Sequence, residues 1–575
     1  MVLGVSTATL AWLWSSPESG WQRDIRNAQF TRITDFEGNE VDGALSPDGK
    51  FVAFLSDRDG PFDAWVSQVG SGTFLNLTKG KINELQSDDH RNLSFSGDGQ
   101  QVWLRVTKRK PGSSVLDKSV WVVPTMGGEP QPFLGDGTAH AEWSQDGTRI
   151  VYHGSDAGDP IFVTDPGQRT AHRIYAASPG VHCHQPTWSP DGRYIYFCQG
   201  RPPDQMDIWR IPPAGANAAE RITQQNTRVG HPVMLDNRTL LYTALAEDAS
   251  GPWLYLMDLK RRRAQRVSFG VEQYNSIAAS ADRRRLVATV SNPRADLWRV
   301  PISPGVVGES EAVQVRLPMT RAIEPRFGPN FLMFLSSKRG AVGRTDGLWK
   351  YNEGTATQLW QDEGAVTAAA ISPDGGRVCL AVRNGGRTRL FTMKTDGTSV
   401  RRLAERLDVH GAPSWSPDSK WVAVASDEGH GPRLYRVPSE GGSAVRLLDS
   451  VSSHPVWSPD GRFIIYCGAD SGGVFRVGAV TPNGERYRLP DLTLRRGAER
   501  FCFLPHQGAL VFLKGDFTQR DFWLLDLKSG RERQLTNLNP AYIIREFDLS
   551  SDGSEILFDR FQQNSDLVLI ELASR

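Results

Sequence analysis

At 575 residues, with 39% hydrophobic content and 66 basic against 65 acidic side chains, the chain is long enough for two medium globular domains or one very large one. Its net charge of +1 gives no support to a sequence-independent grip on nucleic acid or on an anionic membrane. Five cysteines, Cys183, Cys198, Cys379, Cys467 and Cys502, lack the paired spacing of a metal site or a disulfide framework, and most sit in strand-like runs, which predicts buried thiols.

Residues 1–27 read as an N-terminal apolar stub and linker. The run VLGVSTATLAWLW over residues 2–14 is shorter than the roughly 20 residues a membrane-crossing helix needs, and no basic residue precedes it as in a signal peptide. Two readings stand: the end of a transmembrane anchor that starts upstream, with Trp12 and Trp14 at the interface, or a loosely packed terminus.

From residue 28 one pattern repeats. Its fullest copy is His184 to Cys198, HQPTWSPDGRYIYFC, in which two strand-like runs flank a turn. Pro190 presets φ, Asp191 can bond nearby backbone, and Gly192 can adopt the positive φ of a tight reversal. Related turns start at Ser46, Ser96, Ser144, Ser189, Leu235, Ser280, Gly328, Ser372, Ser416, Ser458, Leu504 and Ser550, spaced at the four-strand period of propeller blades. A third run follows each hairpin, often as Asp, an apolar residue and an aromatic, as in Asp63-Ala64-Trp65, Asp207-Ile208-Trp209 and Asp296-Leu297-Trp298. A polar fourth run closes the unit, for example ERIT at residues 220–223. The basic runs Lys108-Arg109-Lys110, Arg261-Arg262-Arg263 and Arg283-Arg284-Arg285 fall between strands and predict solvated loops.

These units predict an all-β chain of two consecutive β-propellers, six four-stranded antiparallel blades each, with the first over 28–311 and the second over 312–575. Phe30 to Thr34 then supplies a fourth strand that closes the first ring, and Val313 to Leu317 one that closes the second. Degenerate turns at Leu235, Gly328 and Leu504 leave a seven-plus-five division open.

The SPDG hairpin followed by Asp-apolar-aromatic resembles the PD40 repeat of TolB-like propellers, a relative of WD40 without its Gly-His and Trp-Asp signatures. The array also looks like the extracytoplasmic propeller region of bacterial membrane signalling proteins, in which a kinase or winged-helix domain precedes one transmembrane helix. That resemblance implies a periplasmic or otherwise extracytoplasmic place, a membrane anchor at the N-terminus, and a role in signalling by binding protein, peptide or glycan.

No G-x-S-x-G elbow and no GxxxxGK[ST] loop is present, which argues against a propeller-gated hydrolase and a P-loop nucleotide site. Asp57-Arg58-Asp59-Gly60 with Asp63 lacks the spaced ligands of an EF-hand and reads as a surface turn. Histidines carry the sharper signal: His90, His140, His184, His231, His410 and His454 all precede a hairpin turn by four to six residues, where innermost strands begin. Asp42, His90, His140, His184, His231 and Asn275 are therefore candidate ligand-binding residues around the first channel, with His140, His184 and His231 as candidate ligands of a divalent metal. The bland counterpart is that a histidine at a strand start bonds the backbone of the next blade, and the unequal offsets turn alternate side chains to opposite faces. The sequence thus favours a non-enzymatic sensor or scaffold with no cofactor. The alternative is a metal-dependent polysaccharide lyase or hydrolase using channel histidines, as the oligogalacturonate lyases that the fold resembles do.

Overall fold

The computed structural model describes residues 20–572 except 83–84, 86–90, 110–115, 168–169, 203–204, 217, 248–249, 269–271, 320, 338–345, 428, 430, 472–473, 506, 516–519 and 541. The apolar run at residues 2–14 and His90 lie outside the described residues. Among the described residues, no helix is long and apolar enough to cross a membrane. A short helix, Gly20–Arg26, packs Ile25 against Val233 and Leu235, and the Trp21 indole donates to Asp236 at 2.6 Å.

The repeated turn has one construction. In the first copy Ser46 Oγ donates to Asp48 Oδ1 at 2.7 Å and accepts from the Phe51 amide at 2.9 Å, while Gly49 sits at φ +68°. Ser96, Ser144, Ser189, Ser280, Ser372, Ser416, Ser458 and Ser550 repeat the serine–aspartate bond. The aspartate of the third strand is equally structural. Asp63, Asp207 and Asp521 each accept the hydroxyl of a fourth-strand threonine, at 2.5 Å from Thr78, 2.6 Å from Thr223 and 2.9 Å from Thr536. In these three sheets the polar outer edge is thus tied to the third strand by side chains as well as by its ladder.

Among the described residues the strands form eleven four-stranded sheets, one five-stranded sheet and a two-stranded parallel pair, Val307–Gly308 with Thr536–Asn537. Six innermost strands, Glu40–Leu45, Leu93–Phe95, Thr138–Trp143, His182–Trp188, Val229–Met234 and Gln273–Ala279, pack in succession, and the last returns to the first; their sheets make ring I. Ring II is built on Ile323–Phe327, Ala365–Ile371, Val409–Trp415, Ser453–Trp457, Phe501–Leu504 and Phe547–Leu549. Its fourth and fifth sheets meet through Phe463, Ile465, Phe501 and Phe512, and Phe547–Leu549 packs back on Ile323–Phe327.

The two rings exchange a strand. The last sheet of ring I takes its third strand from the C-terminal segment Ser565–Glu571, which lies between Arg285–Ser291 and the N-terminal Gln29–Arg32. The last sheet of ring II takes its third strand from Arg294–Pro301, which pairs with Glu555–Gln562 and carries Val313–Gln314 outside it. A chain division at 311/312 therefore does not separate the rings, and Asp296-Leu297-Trp298 belongs to ring II. The reason is local. A two-residue link between these strands would need positive φ at its central residues, as Gly385 (+58°) and Gly386 (+74°) supply in the hairpin Arg377–Asn384 to Arg387–Lys394. Asn292-Pro293 cannot do this, because proline fixes φ near −65° and pushes the preceding residue to extended backbone. The chain runs straight on into the neighbouring ring, and Gln563-Asn564 returns beside it, with the Asn292 amide on the Asn564 carbonyl at 3.3 Å.

All five cysteines are free and buried. The basic runs divide: Arg261 to Arg263 are exposed, whereas Arg283 is half-buried with its guanidinium on the Ser280 carbonyl at 3.1 Å, and Lys108 and Arg109 lie within the strand Gln101–Arg109 rather than in a loop.

Candidate functional site

In six innermost strands the register slips at one residue, and that residue adopts left-handed backbone: Asp42 (φ +59°), His140 (+56°), Gln185 (+54°) and His231 (+51°) in ring I, Glu324 (+54°) and His454 (+49°) in ring II. Each lies four residues before its turn. A bulge re-aims its side chain, and in ring I three of these side chains reach the next blade's backbone. Asp42 Oδ2 accepts from the amides of Asn92 and Leu93, His140 Nε2 meets the Pro186 carbonyl at 2.9 Å, and Gln185 Oε1 accepts from the His231 amide.

His140 is therefore an inter-blade strut, and its candidacy as a metal ligand gives way to that bond. His231 Nε2 lies 3.9 Å from Asp42 Oδ1, whose other neighbour is the Arg91 guanidinium at 4.0 Å, and Asn275 Nδ2 donates to Ser291 at 2.8 Å. His184 stands one residue before the bulge and faces elsewhere. Its Nε2 lies 3.1 Å from Asp159 Oδ2, and His182 Nδ1 lies 2.8 Å from the same oxygen. Among the described residues Asp159, His182 and His184 are the group whose ligand atoms lie close enough together, all within 4.8 Å, to hold a metal ion. Of the three expected ligands only His184 takes part. Asp159 comes from the loop after Ile150–Gly154, far in sequence from the strand that bears both histidines. The missed signal for His182 was its place two residues before His184, since alternate residues of a strand share a face.

The electrostatics fit a metal site. Burial pushes the Asp159 carboxyl up, but the hydrogen bonds from His182 and His184 outweigh it and hold the group well below the usual carboxylate range. Burial lowers His184, with Asp159 pulling it partly back, so its imidazole is neutral at pH 7. A neutral imidazole beside an ionised carboxylate is what a divalent transition metal requires. His153, driven to about 3 by burial, continues the row: ring centroids are 6.5 Å apart between His140 and His153, and 5.6 Å between His153 and His184.

Ring II meets this cluster directly. Asp470 Oδ2 lies 3.6 Å from His182 Nε2, and Arg496 holds Asp470 through Nε at 2.8 Å and Nη2 at 2.5 Å. Elsewhere Arg201 pairs with Asp427, Arg383 donates to the Asn226 carbonyl, and Asn226 Nδ2 reaches the Gly386 carbonyl at 3.4 Å. These contacts come from the ends of the rings where the innermost strands begin, so the two channel mouths face one another. Between them lies a cavity of about 930 Å³ walled by both rings. Asp42, His184, His231 and Asn275 line it from ring I; Glu324, His410 and His454 line it from ring II. In ring II the Arg326 guanidinium joins Glu324 at 2.9 Å to Glu546 at 3.3 Å, and Arg500 lies 3.6 Å from Glu546.

Residues 350–539, within ring II, match the TolB beta propeller domain, PD40. That stretch carries the TolB-like propeller repeat. The chain is 24% identical over 120 residues to a protein of Sulfurisphaera tokodaii named a Tricorn-like protease C-terminal subunit, covering 20% of the chain and 14% of that protein. It is 32% identical over 112 residues to the uncharacterized peptidase YuxL of Bacillus subtilis, covering 18% and 17%. The match spans less than a fifth of either relative. Among solved structures, the chain is similar to a TolB protein from Agrobacterium tumefaciens at 17% identity, covering 47% of the chain and 99% of that protein with a TM-score of 0.35.

Proposed function

We propose that the protein is a ligand-binding sensor or scaffold module, working outside the cytoplasm, that takes an anionic part of a protein, peptide or glycan into the cavity between its rings. The composition of the cavity wall carries this reading: among the described residues, ten Arg and Lys side chains line it against five Asp and Glu. A concave, largely preformed site with an excess of one charge concentrates ligands of the opposite sign. Two of these acidic side chains are fixed by arginine, Asp470 by Arg496 and Glu324 by Arg326, which suits a rigid binding surface. The extracytoplasmic placement and a membrane anchor rest on the resemblance of the repeat array. The test is a thermal-shift screen of acidic and neutral oligosaccharides and peptides, with hits repeated on Thr367→Trp. Thr367 is exposed on an innermost strand and lines the cavity, so an indole there projects into it and narrows it. A cavity ligand loses its stabilisation in that variant; a ligand that stabilises both proteins equally contradicts the reading.

A second reading, a metal-dependent polysaccharide lyase or hydrolase, is favoured by Asp159, His182 and His184. A metal held there would act as a Lewis acid on a substrate oxygen. The chain's own contribution is to fix the two imidazoles on one strand face and to hold the carboxylate ionised between them.

A further inference from the structure

Lys118 is a lysine in an unusual place. It is 9% exposed, it lines the cavity, and among the described residues its ammonium makes no hydrogen bond or ion pair. Its hairpin, Gln101–Arg109 with Leu116–Pro124, has nine residues in each strand, the longest of ring I. Lys118 stands opposite Thr107 near the far end of that hairpin, and Arg105 stands opposite Val120. Opposed residues of an antiparallel pair share a face, as do residues two apart along a strand. Arg105, Thr107 and Lys118 therefore present one ammonium, one guanidinium and one hydroxyl to the same space, and all three line the cavity.

An ammonium taken out of water without a partner is costly, and the structure around such a group is stable only if the charge is met. The groups facing Lys118 do not meet it. Burial and the charge of Arg105 lower its amine to about 8, Arg496 across the ring boundary adds to this, and Asp159 and Asp470 only partly oppose it. At pH 7 the group is still mostly ammonium. We propose that Lys118, with Arg105 and Thr107, is the anchor for an oxyanion, the carboxylate or phosphate group of the ligand. This rests on the cavity reading and assigns the ligand's charged group within it. Lysine suits such a role as a point charge, with the planar guanidinium adding directional bonds.

Isothermal titration of the full chain with inorganic phosphate and with citrate, at pH 7, tests the proposal on wild type, Lys118→Met, Lys118→Arg and Thr367→Trp. Wild type is expected to bind at least one anion, Lys118→Met at least tenfold more weakly, and Lys118→Arg to recover most of the affinity. Binding of phosphate alone assigns a phosphorylated ligand, and binding of citrate alone a carboxylate. Loss in Thr367→Trp with unchanged binding in Lys118→Met overturns the anchor and leaves the cavity reading standing. Binding unchanged in both, or no binding of either anion to wild type, overturns the anchor. If Lys118→Met does not fold, acetylation of wild-type lysines read by mass spectrometry decides instead. The bound anion should slow modification of Lys118 several-fold, and an unaltered rate contradicts the proposal.

Discussion

Removing residues 563–575 tests the strand exchange, because that segment supplies the third strand of the last ring I sheet. Leu567, Val568, Leu569, Ile570 and Leu572 are all buried, packed with Leu286, Val287 and Ala288 or with the first sheet around Val52 and Phe54. At about 1.5–3 kcal/mol for each buried side chain, the loss is on the order of 7–15 kcal/mol, as large as the whole stability of a typical domain. Gln29–Arg32 loses its ladder partner at the same time. Ring II keeps its own third strand, Arg294–Pro301. Hydrogen exchange by mass spectrometry, with circular dichroism as a check on bulk folding, separates the two. Protection should collapse in peptides covering 40–56 and 273–291 while peptides covering 332–337 and 509–526 keep theirs. Loss confined to ring II, or equal small losses in both rings, would refute the exchange.

Metal analysis after dialysis against zinc or manganese should show His184→Ala and Asp159→Asn losing any bound ion while His231→Ala retains it; retention in His184→Ala would dismiss the cluster as a metal site. Lys118→Met, which removes a buried unpaired charge, is expected to raise unfolding stability by about 1–3 kcal/mol in urea titrations, whereas a fall of that size would mean that Lys118 has a structural partner. Glu324 gives a pH signature. Burial and the charge of Glu546 raise it to about 8 despite its pairing with Arg326, so the folded chain keeps a proton that the unfolded chain loses. Its contribution is fully present below pH 4.5 and is lost as pH rises towards 8, at up to about 1.4 kcal/mol for each pH unit. Glu324→Gln should therefore melt with a shallower decline between pH 5 and 8 than wild type, and parallel curves would exclude this effect.

Much of the architecture was legible because it is local. The SPDG turn needs only its own serine, aspartate and glycine, and the third-strand aspartate announces the threonine bond that holds the fourth strand. The outer place of Gln29–Arg32 could be read from an unmatched fourth strand. The exchange was harder to see, since Asp296-Leu297-Trp298 and Asp566-Leu567-Val568 are equally good third strands for either ring, yet Pro293 carried a physical warning against a tight hairpin. The site divides in the same way. A histidine four residues before the turn looks like a channel ligand, but the left-handed bulge at that position turns His140 onto a neighbouring carbonyl. His184, one residue earlier, escapes the bulge and meets His182. Asp159, Asp470 and Arg496 could not be found by pattern, because three-dimensional closure of ring I and the facing of ring II bring them there.

The central claim is that both rings hold one ligand between them. It is tested most directly by hydrogen exchange of the full chain with and without the tightest anion found by titration. The account predicts that the ligand slows exchange together in segments 101–109, 116–124 and 182–188 of ring I and in 377–384 and 493–501 of ring II. Protection restricted to one ring, or to the outer fourth strands, would contradict it.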